Sequence, residues 1–200
     1  MLMDKPSSIG THLALRLRDL RTGAGMTLDG LAERTGVSRS MISLIERGES
    51  SPTAAVLDKL AAGLGVTLAS LFAEQESAAA SPLSRREDQR IWRDPESGYM
   101  RRNLSAPGFP SPIELVEVVL PAGARVAYDT SHRATTVHQQ IWIVEGAITL
   151  TLGDETYRLG TGDCLSMRLD QLIVFRNLTE VPARYVVALA TDPRAGFAPR

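Results

Sequence analysis

The residues that could do chemistry form two groups. Metal ligands and nucleophiles are scarce, because the chain has only three histidines (12, 132 and 138) and one cysteine, Cys164. A single cysteine forms neither an internal disulfide nor a structural zinc cage. The stretch from Ser38 to Ser43 (SRSMIS) instead combines an arginine with three serines. An arginine offers a fork of donors that fits a guanine edge, and serines hydrogen-bond bases or phosphates.

The amino-acid composition limits the classes of protein to which this chain can belong. Of 200 residues, 44% are apolar and 22% charged, and the net charge is −1. These are globular proportions for one domain or two small ones. A uniformly basic nucleic-acid coat is excluded, so DNA binding has to come from a local arrangement of charge. The N-terminus carries an acid and a proline where a secretory signal is apolar, and no apolar run approaches the roughly 20 residues of a membrane span. A cytoplasmic protein without membrane contact is expected.

From Ile9 to about Phe72 the apolar residues recur at helical spacing, which predicts five short helices. Thr27 and Ser38 are placed to cap the second and third helices, and Pro52 and Thr53 begin the fourth. A fifth helix is predicted from Thr67 to Phe72. In the third helix Met41, Ile42 and Ile45 are expected to face the core. This half is therefore predicted to be an all-α bundle.

The chain changes character near residue 75. Residues 75–88 begin with small and polar residues (QESAAASPLS) and are predicted to be a linker. Beyond them, runs of five to eight β-favouring residues alternate with Gly, Pro, Asp and Asn. Many short strands at close spacing predict an all-β sandwich or barrel. The expected division is therefore 8–74, 75–88 and 89–198.

The segment from Met26 to Phe72 resembles the lambda-repressor-like (XRE) helix-turn-helix family. The resemblance places helix two at Leu28–Arg34, the turn at Thr35–Val37 and the recognition helix at Ser38–Arg47. It implies that the start of the recognition helix enters the major groove of duplex DNA. Arg39, Ser40 and Ser43 then lie on the exposed face, and Thr27, Ser38 and Arg47 are placed for phosphates.

Charge within the helical half bears on how it would bind. Residues 1–74 carry eight basic and eight acidic side chains, so that half is neutral. A neutral domain with few phosphate contacts binds weakly as a monomer. A homodimer that reads two half-sites is therefore expected.

The strand-rich half resembles a cupin, a jelly-roll barrel also called the double-stranded β-helix. The resemblance rests on residues 132–153 and on 160–177, which contain the Gly160-Thr-Gly-Asp turn. Metal-dependent cupins supply three histidines and a glutamate. Here the corresponding positions carry His132, Ala134, Gln139 and Ile173, so one ligand of four remains. No metal, no cofactor and no catalytic residues are expected.

Two interpretations of the barrel interior stay open. His132 and His138 with a carboxylate such as Glu117 could form a facial triad for a metal. Alternatively, strand alternation turns Gln139, Ile141 and Ile143 inward, which leaves an apolar pocket with a polar rim that suits a small organic ligand. The residues expected to contact this ligand are Tyr128, His132, Gln139, Ile141, Ile143 and Arg176.

XRE domains joined to a single cupin form a known family of bacterial regulators, and the domain order fits it. The resemblance implies a dimeric, sequence-specific transcriptional regulator whose cupin senses an unidentified small-molecule effector. One alternative is a metal-dependent, epoxidase-like enzyme that retains the helix-turn-helix as a scaffold. Another is a DNA-binding protein whose cupin serves only for dimerisation.

Overall fold

The computed structural model of the chain describes residues 8–72, 79–131 and 135–191. Within these ranges the N-terminal half contains α1 (Ser8–Gly23), α2 (Leu28–Thr35), α3 (Arg39–Glu46), α4 (Ala54–Leu64) and a 3₁₀ turn at Ala69–Leu71. A second 3₁₀ turn, Arg86–Asp88, lies in the stretch predicted to be a linker and precedes the first strand. The C-terminal half contains β1 (Ile91–Arg93), β2 (Met100–Asn103), β3 (Ile113–Leu120), β4 (Arg125–Asp129), β5 (Val137–Glu145), β6 (Ala147–Leu152), β7 (Glu155–Gly160), β8 (Cys164–Arg168), β9 (Leu172–Arg176) and β10 (Ala183–Thr191).

Local capping signals determine where the helices begin and end. The side chains of Thr27, Ser38 and Thr53 each accept a hydrogen bond from a backbone N–H three residues on, at 3.0, 3.2 and 3.4 Å. Such bonds satisfy donors that the first helical turn leaves without partners. Helices α2 and α4 end at Gly36 and Gly65, whose φ angles of 68° and 73° favour glycine. The predicted caps are confirmed.

Two predictions about the helical half are wrong. The fifth helix is only a 3₁₀ turn at Ala69–Leu71, and Thr67 Oγ1 ahead of it accepts a hydrogen bond from the Ser70 N–H. Short segments of this kind adopt i→i+3 bonding. Met41 is 37% exposed, whereas Ile42 and Ile45 are at most 1% exposed. Since each helical residue advances by 100°, the face centred on Ile42 and Ile45 leaves Met41 at its edge.

A close approach and a buried ion pair fix the helices against each other. Gly63 of α4 lies against α2, where an added Cβ would meet Thr35 Cγ2 at 2.2 Å.

Arg21 near the end of α1 donates to both carboxylate oxygens of Glu46 in α3, at 2.6 and 2.8 Å, and to the carbonyl of Met26 at 2.7 Å. The Arg21 and Glu46 side chains are only 12% and 7% exposed. The hydrogen bonds to Glu46 raise the pKa of Arg21 despite the opposing effect of burial. This pair therefore ties the recognition helix to α1.

The strands form two antiparallel sheets that face each other. The larger has the order β1-β2-β3-β10-β5-β8 and the smaller β4-β9-β6-β7. Strands β3, β5 and β10 alternate between buried and more exposed residues, so one face of each points between the sheets. Ile141, Leu150 and Leu120 are fully buried there. The arrangement is the predicted jelly-roll sandwich, and the core lies between its two sheets.

The two halves of the chain pack directly on each other. The Glu114 carboxylate of β3 accepts hydrogen bonds from Thr67 Oγ1 at 2.6 Å and from Ser70 Oγ at 2.8 Å. The ring of Phe72 lies 5.6 Å from that of Trp92 in β1. Polar and aromatic contacts therefore join the end of the helical half to the larger sheet.

A residue of the strand-rich half also completes a helix of the other half. The Asp94 carboxylate, directly after β1, accepts a hydrogen bond at 3.2 Å from the backbone N–H of Ala54, the first residue of α4. Asp94 is 3% exposed and also accepts bonds from the N–H and the hydroxyl of Ser97. A carboxylate at a helix N-terminus stabilises the helix through both the hydrogen bond and the dipole.

Across the described ranges, no helix has both the length and the apolar character needed to cross a membrane.

Candidate functional site

The predicted DNA-contacting residues line one side of α3 and the preceding cap. Ser38, Arg39 and Ser40 are exposed, and Ser43 is partly exposed one turn further along the helix. Thr27 is also exposed, at the cap of α2. The hydroxyls of Ser38 and Ser40 lie 3.1 Å apart. The structure therefore presents hydroxyl groups and one guanidinium together at the start of α3.

The Arg39 guanidinium has an exposed acidic neighbour. Its Nε lies 3.2 Å from Asp29 Oδ1 in α2, and the two side chains are 62% and 77% exposed. Exposed pairs of this kind contribute only about 0.2–1 kcal/mol. Arg39 is therefore held over the start of α3 by a contact that a stronger acceptor can replace.

Arg47 forms a second exposed pair at the other end of the helix. Its Nε and Nη2 donate to the two carboxylate oxygens of Glu49 at 2.8 and 2.7 Å, and its Nη1 donates to Ser43 Oγ. The hydrogen bonds between the two side chains lower the pKa of the Glu49 carboxyl and raise the pKa of the Arg47 guanidinium. Both predicted contacts, Ser43 and Arg47, are thus held in one hydrogen-bonded group.

A cavity lies between the two sheets where the helical half covers them. Its free volume is about 40 Å³, roughly three times the minimum of about 10–15 Å³ that one water needs. Eleven of the lining residues belong to the strand-rich half, and Asp58, Thr67 and Leu68 belong to the helical half. The members from the sheets and adjoining loops are Tyr99, Arg101, Tyr128, Thr130, Gln139, Leu169, Ile173, Phe175, Tyr185, Val187 and Leu189.

Arg101 is the positively charged residue in this wall, which also contains the buried carboxylate of Asp58. Arg101 is 7% exposed, and its Nη1 donates to the Tyr99 hydroxyl at 3.2 Å. Its Nε and Nη2 are buried and have no hydrogen-bond partner among the residues that the structure describes. The guanidinium also lies 6.0 Å from the centre of the Phe72 ring. Within the described part of the chain no carboxylate forms an ion pair with it.

Tyrosines supply the remaining polarity around the cavity. Burial raises the pKa of Tyr128 and of Tyr185 well above the ordinary phenol value. Both hydroxyls therefore stay protonated at neutral pH and can donate hydrogen bonds. The buried Tyr128 hydroxyl lies beside the Tyr99 hydroxyl. Together with Arg101, it places hydrogen-bond donors in the cavity wall.

The structure brings together only some of the residues predicted to contact a ligand. Tyr128 and Gln139 line the cavity. Ile141 and Ile143 point inward as predicted and are fully buried, but they are not among the lining residues. The prediction for Arg176 is wrong: it is exposed, because strand β9 buries the preceding Phe175 and turns Arg176 to the opposite face. His132 lies outside the described residues.

The alternative metal triad is not assembled among the described residues. Glu117 pairs with Arg102 at 2.5 Å and with Arg184 at 3.3 Å, on the outer face of the larger sheet. His138 is exposed on the same face but lies four residues before Trp142, the β5 residue that is aligned with Glu117 through Val186 of β10. In the described ranges no group of three or more His, Cys, Asp and Glu side chains is positioned to hold a metal ion.

Sequence reasoning missed Arg101, Tyr99 and Asp58. Arg101 and Arg102 are adjacent in a four-residue strand, yet one faces the cavity and the other faces Glu117. Strand alternation predicts that they differ, but a strand this short does not show which one is inside. Asp58 reaches the cavity only through packing between the two halves, which leaves no local signal.

Comparison with known proteins supports both halves. A helix-turn-helix family, HTH_3, matches residues 17–71, and the cupin domain family matches residues 116–189. The chain is 29% identical over 171 residues to the HTH-type transcriptional regulator SutR of Escherichia coli K12. This alignment covers 85% of this chain and 89% of SutR. It is 26% identical to the HTH-type transcriptional regulator PuuR of the same organism, over 74% of this chain and 77% of that one.

A solved structure extends the likeness over nearly the whole chain. The HTH_3 family transcriptional regulator from Vibrio cholerae superposes with a TM-score of 0.71 at 26% identity, covering 98% of this chain and 100% of that one. The chain therefore combines an XRE-type helix-turn-helix domain with a cupin domain and is homologous to DNA-binding transcriptional regulators of the SutR and PuuR type.

Proposed function

We propose that the protein is a homodimeric transcriptional regulator whose DNA binding responds to a small molecule held in the cupin. One observation carries this proposal: the cavity wall is built from both halves of the chain. A ligand that contacts Asp58, Thr67 or Leu68 touches the DNA-binding half directly. Its binding energy then shifts the population of arrangements that this half adopts.

Sequence-specific DNA recognition is assigned to the start of α3. Arg39, Ser40 and Ser43 read base edges, and Thr27, Ser38 and Arg47 bind phosphates. Selection of genomic fragments by the purified full-length protein is the direct test. We expect one enriched motif with two half-sites, and the absence of any enriched motif would refute the assignment.

The dimer interface is assigned to the outer face of the larger sheet. Trp142, Ile113 and Leu115 are 51%, 50% and 38% exposed there. Strand β10 lies between them and contributes the half-buried Val186 and Ala188. Exposed apolar side chains grouped on a sheet face are typical of protein–protein contacts, and a two-fold contact between copies would cover them together with the Glu117–Arg102 pair of the same face.

Light scattering of full-length variants tests the interface. Trp142→Asp is expected to convert the dimer to a monomer at micromolar concentration. Leu178→Asp is the matched control, because Leu178 is 70% exposed in the loop between β9 and β10 and lies off this face. A wild-type monomer, or a Trp142→Asp dimer, would contradict the assignment.

Effector sensing is tested by what the protein carries and by what that molecule does. Native mass spectrometry of protein purified without added ligand identifies bound molecules. Titration of the identified molecule into the DNA complex should change the DNA Kd. A bound molecule that leaves the DNA Kd unchanged would leave the cupin as a dimerisation domain only.

No arrangement in the described residues favours the enzyme alternative. The proposal is a regulator rather than an epoxidase-like enzyme, because the relatives SutR and PuuR are transcriptional regulators, and it assigns no metal, cofactor or catalytic residue.

A further inference from the structure

We propose that the cavity between the cupin sheets and α4 binds the carboxylate of a small organic acid, with Arg101 as its counter-charge. This inference rests on the proposed sensing function and names the chemical class of the effector. Its starting point is the buried guanidinium, which the folded chain leaves with two unsatisfied nitrogens.

The unsatisfied nitrogens have the geometry that a carboxylate needs. Nε and Nη2 form one edge of the planar guanidinium, and two N–H donors on one edge match the two oxygens of a carboxylate. The third nitrogen, Nη1, is held by the Tyr99 hydroxyl, and Phe72 lies against the guanidinium at 6.0 Å. The group is therefore fixed before any ligand arrives, and its free edge belongs to a residue of the cavity wall.

The energetics of a buried charge favour a directly paired anion at Arg101. A buried charge without a partner destabilises a protein, whereas a paired and hydrogen-bonded one is tolerated. Arg101 remains charged in any protein environment because its pKa is far above neutral. Within the described residues no carboxylate forms an ion pair with it. The buried Asp58 carboxylate belongs to the same wall and has an interaction of its own. A ligand carboxylate on the free edge of the guanidinium gives Arg101 a directly paired anion.

The other walls define the rest of the ligand. The buried Tyr128 hydroxyl lies beside that of Tyr99 and is a further possible donor, and Gln139 adds an amide. Leu169, Ile173 and Val187 make the remaining surface apolar. A free volume of about 40 Å³ restricts the ligand to a few non-hydrogen atoms. A short-chain carboxylic acid fits this combination of one charge, one or two hydrogen bonds and a small apolar part.

Calorimetry on the full-length protein with defined probes tests the site. Propionate is compared with propionamide, which has the same shape without the charge, and with inorganic phosphate, at matched ionic strength. We expect propionate to bind one per chain, and about 10- to 100-fold more tightly than propionamide, because a charge-assisted pair is lost with the amide. Phosphate should bind more weakly than propionate, since the cavity offers one guanidinium and little room.

Variants identify the residue responsible. Arg101→Met should abolish the preference for propionate over propionamide, and Tyr128→Phe should weaken propionate binding less. Arg176→Gln is the matched control, because that arginine is exposed on the opposite face of the smaller sheet. Without ligand, Arg101→Met should melt at the same or a higher temperature than wild type, since it removes a buried charge that lacks a directly paired anion. A purely structural arginine would instead lower the melting temperature when replaced.

The outcomes separate this inference from the sensing proposal. The carboxylate site is wrong if propionate does not bind wild type, if Arg101→Met binds it equally, or if phosphate binds as tightly. It is also wrong, while sensing stands, if a neutral co-purified molecule alters DNA binding equally in Arg101→Met. If propionate binds through Arg101 and the DNA Kd does not change, the site stands and the sensing proposal fails.

Discussion

Replacing Arg39 by alanine is expected to cost about 1–3 kcal/mol of DNA-binding free energy and to relax specificity at one base position. The structure supports a net loss of this size, because the contact that Arg39 gives up on binding is weak. Its pair with Asp29 is exposed on both sides and is worth about 0.2–1 kcal/mol. A bidentate contact with a guanine therefore exceeds what it replaces. The expected loss corresponds to an increase in Kd of about 5- to 150-fold.

The same pair predicts a change in the opposite direction. Asp29→Asn keeps the size of the side chain but removes the charge that competes for Arg39 and repels the DNA backbone. DNA binding should tighten by about 0.2–1 kcal/mol, or about 1.4- to 5-fold. Arg93→Ala is the control, since this exposed arginine lies in β1 of the cupin half and its loss changes the net charge as Arg39→Ala does.

Fluorescence anisotropy with the selected operator measures all three variants at one fixed salt concentration. A second set of operators, each with one base pair changed, shows whether specificity is altered. The reasoning is refuted if Arg39→Ala weakens binding to every sequence equally, because that is the behaviour of a phosphate contact. It is also refuted if Asp29→Asn weakens binding.

Three further predictions concern stability. Glu46→Ala should lower the free energy of unfolding by about 3–5 kcal/mol in urea titrations, because it leaves Arg21 buried without its carboxylate; a loss under about 1 kcal/mol would show that the pair contributes little. Burial raises the pKa of both cavity tyrosines in the folded protein. Their contribution to the free energy of unfolding is therefore fully present below pH 10, the ordinary phenol value, and is lost as the pH rises through the folded-state pKa values. Tyr185→Phe should reduce the slope of unfolding free energy against pH in that range, and an unchanged slope would contradict the assignment. Gly63→Ala should cost about 1–3 kcal/mol through the clash with Thr35, and thermal melts of the double variant with Thr35→Ser should recover most of the loss.

The sequence predicts those parts of the fold that depend on neighbouring residues. The cap at Ser38 and the glycine at Gly36 act over three or four residues. The alternation of inward and outward side chains in β5 likewise depends only on the nine residues of that strand. The arginines show where this reasoning ends. Arg101 and Arg176 have the same side chain, and which one faces the cavity depends on strand pairing between residues far apart in the chain. The sequence pattern led to the prediction that Arg176 contacts the ligand, whereas the structure places Arg101 in the cavity wall.

The contact between Asp94 and the first residue of α4 bears on how regulators of this architecture can be recombined. Because a carboxylate from the cupin completes the start of a helix in the DNA-binding domain, the border between the two modules in the sequence is not the border in the fold. A chimaera that joins this DNA-binding domain to a foreign cupin after residue 74 discards that carboxylate together with the Trp92 ring and Glu114. Successful grafts should therefore carry residues 91–116 along with the helices, or should introduce an acidic residue in the new partner at the position of Asp94.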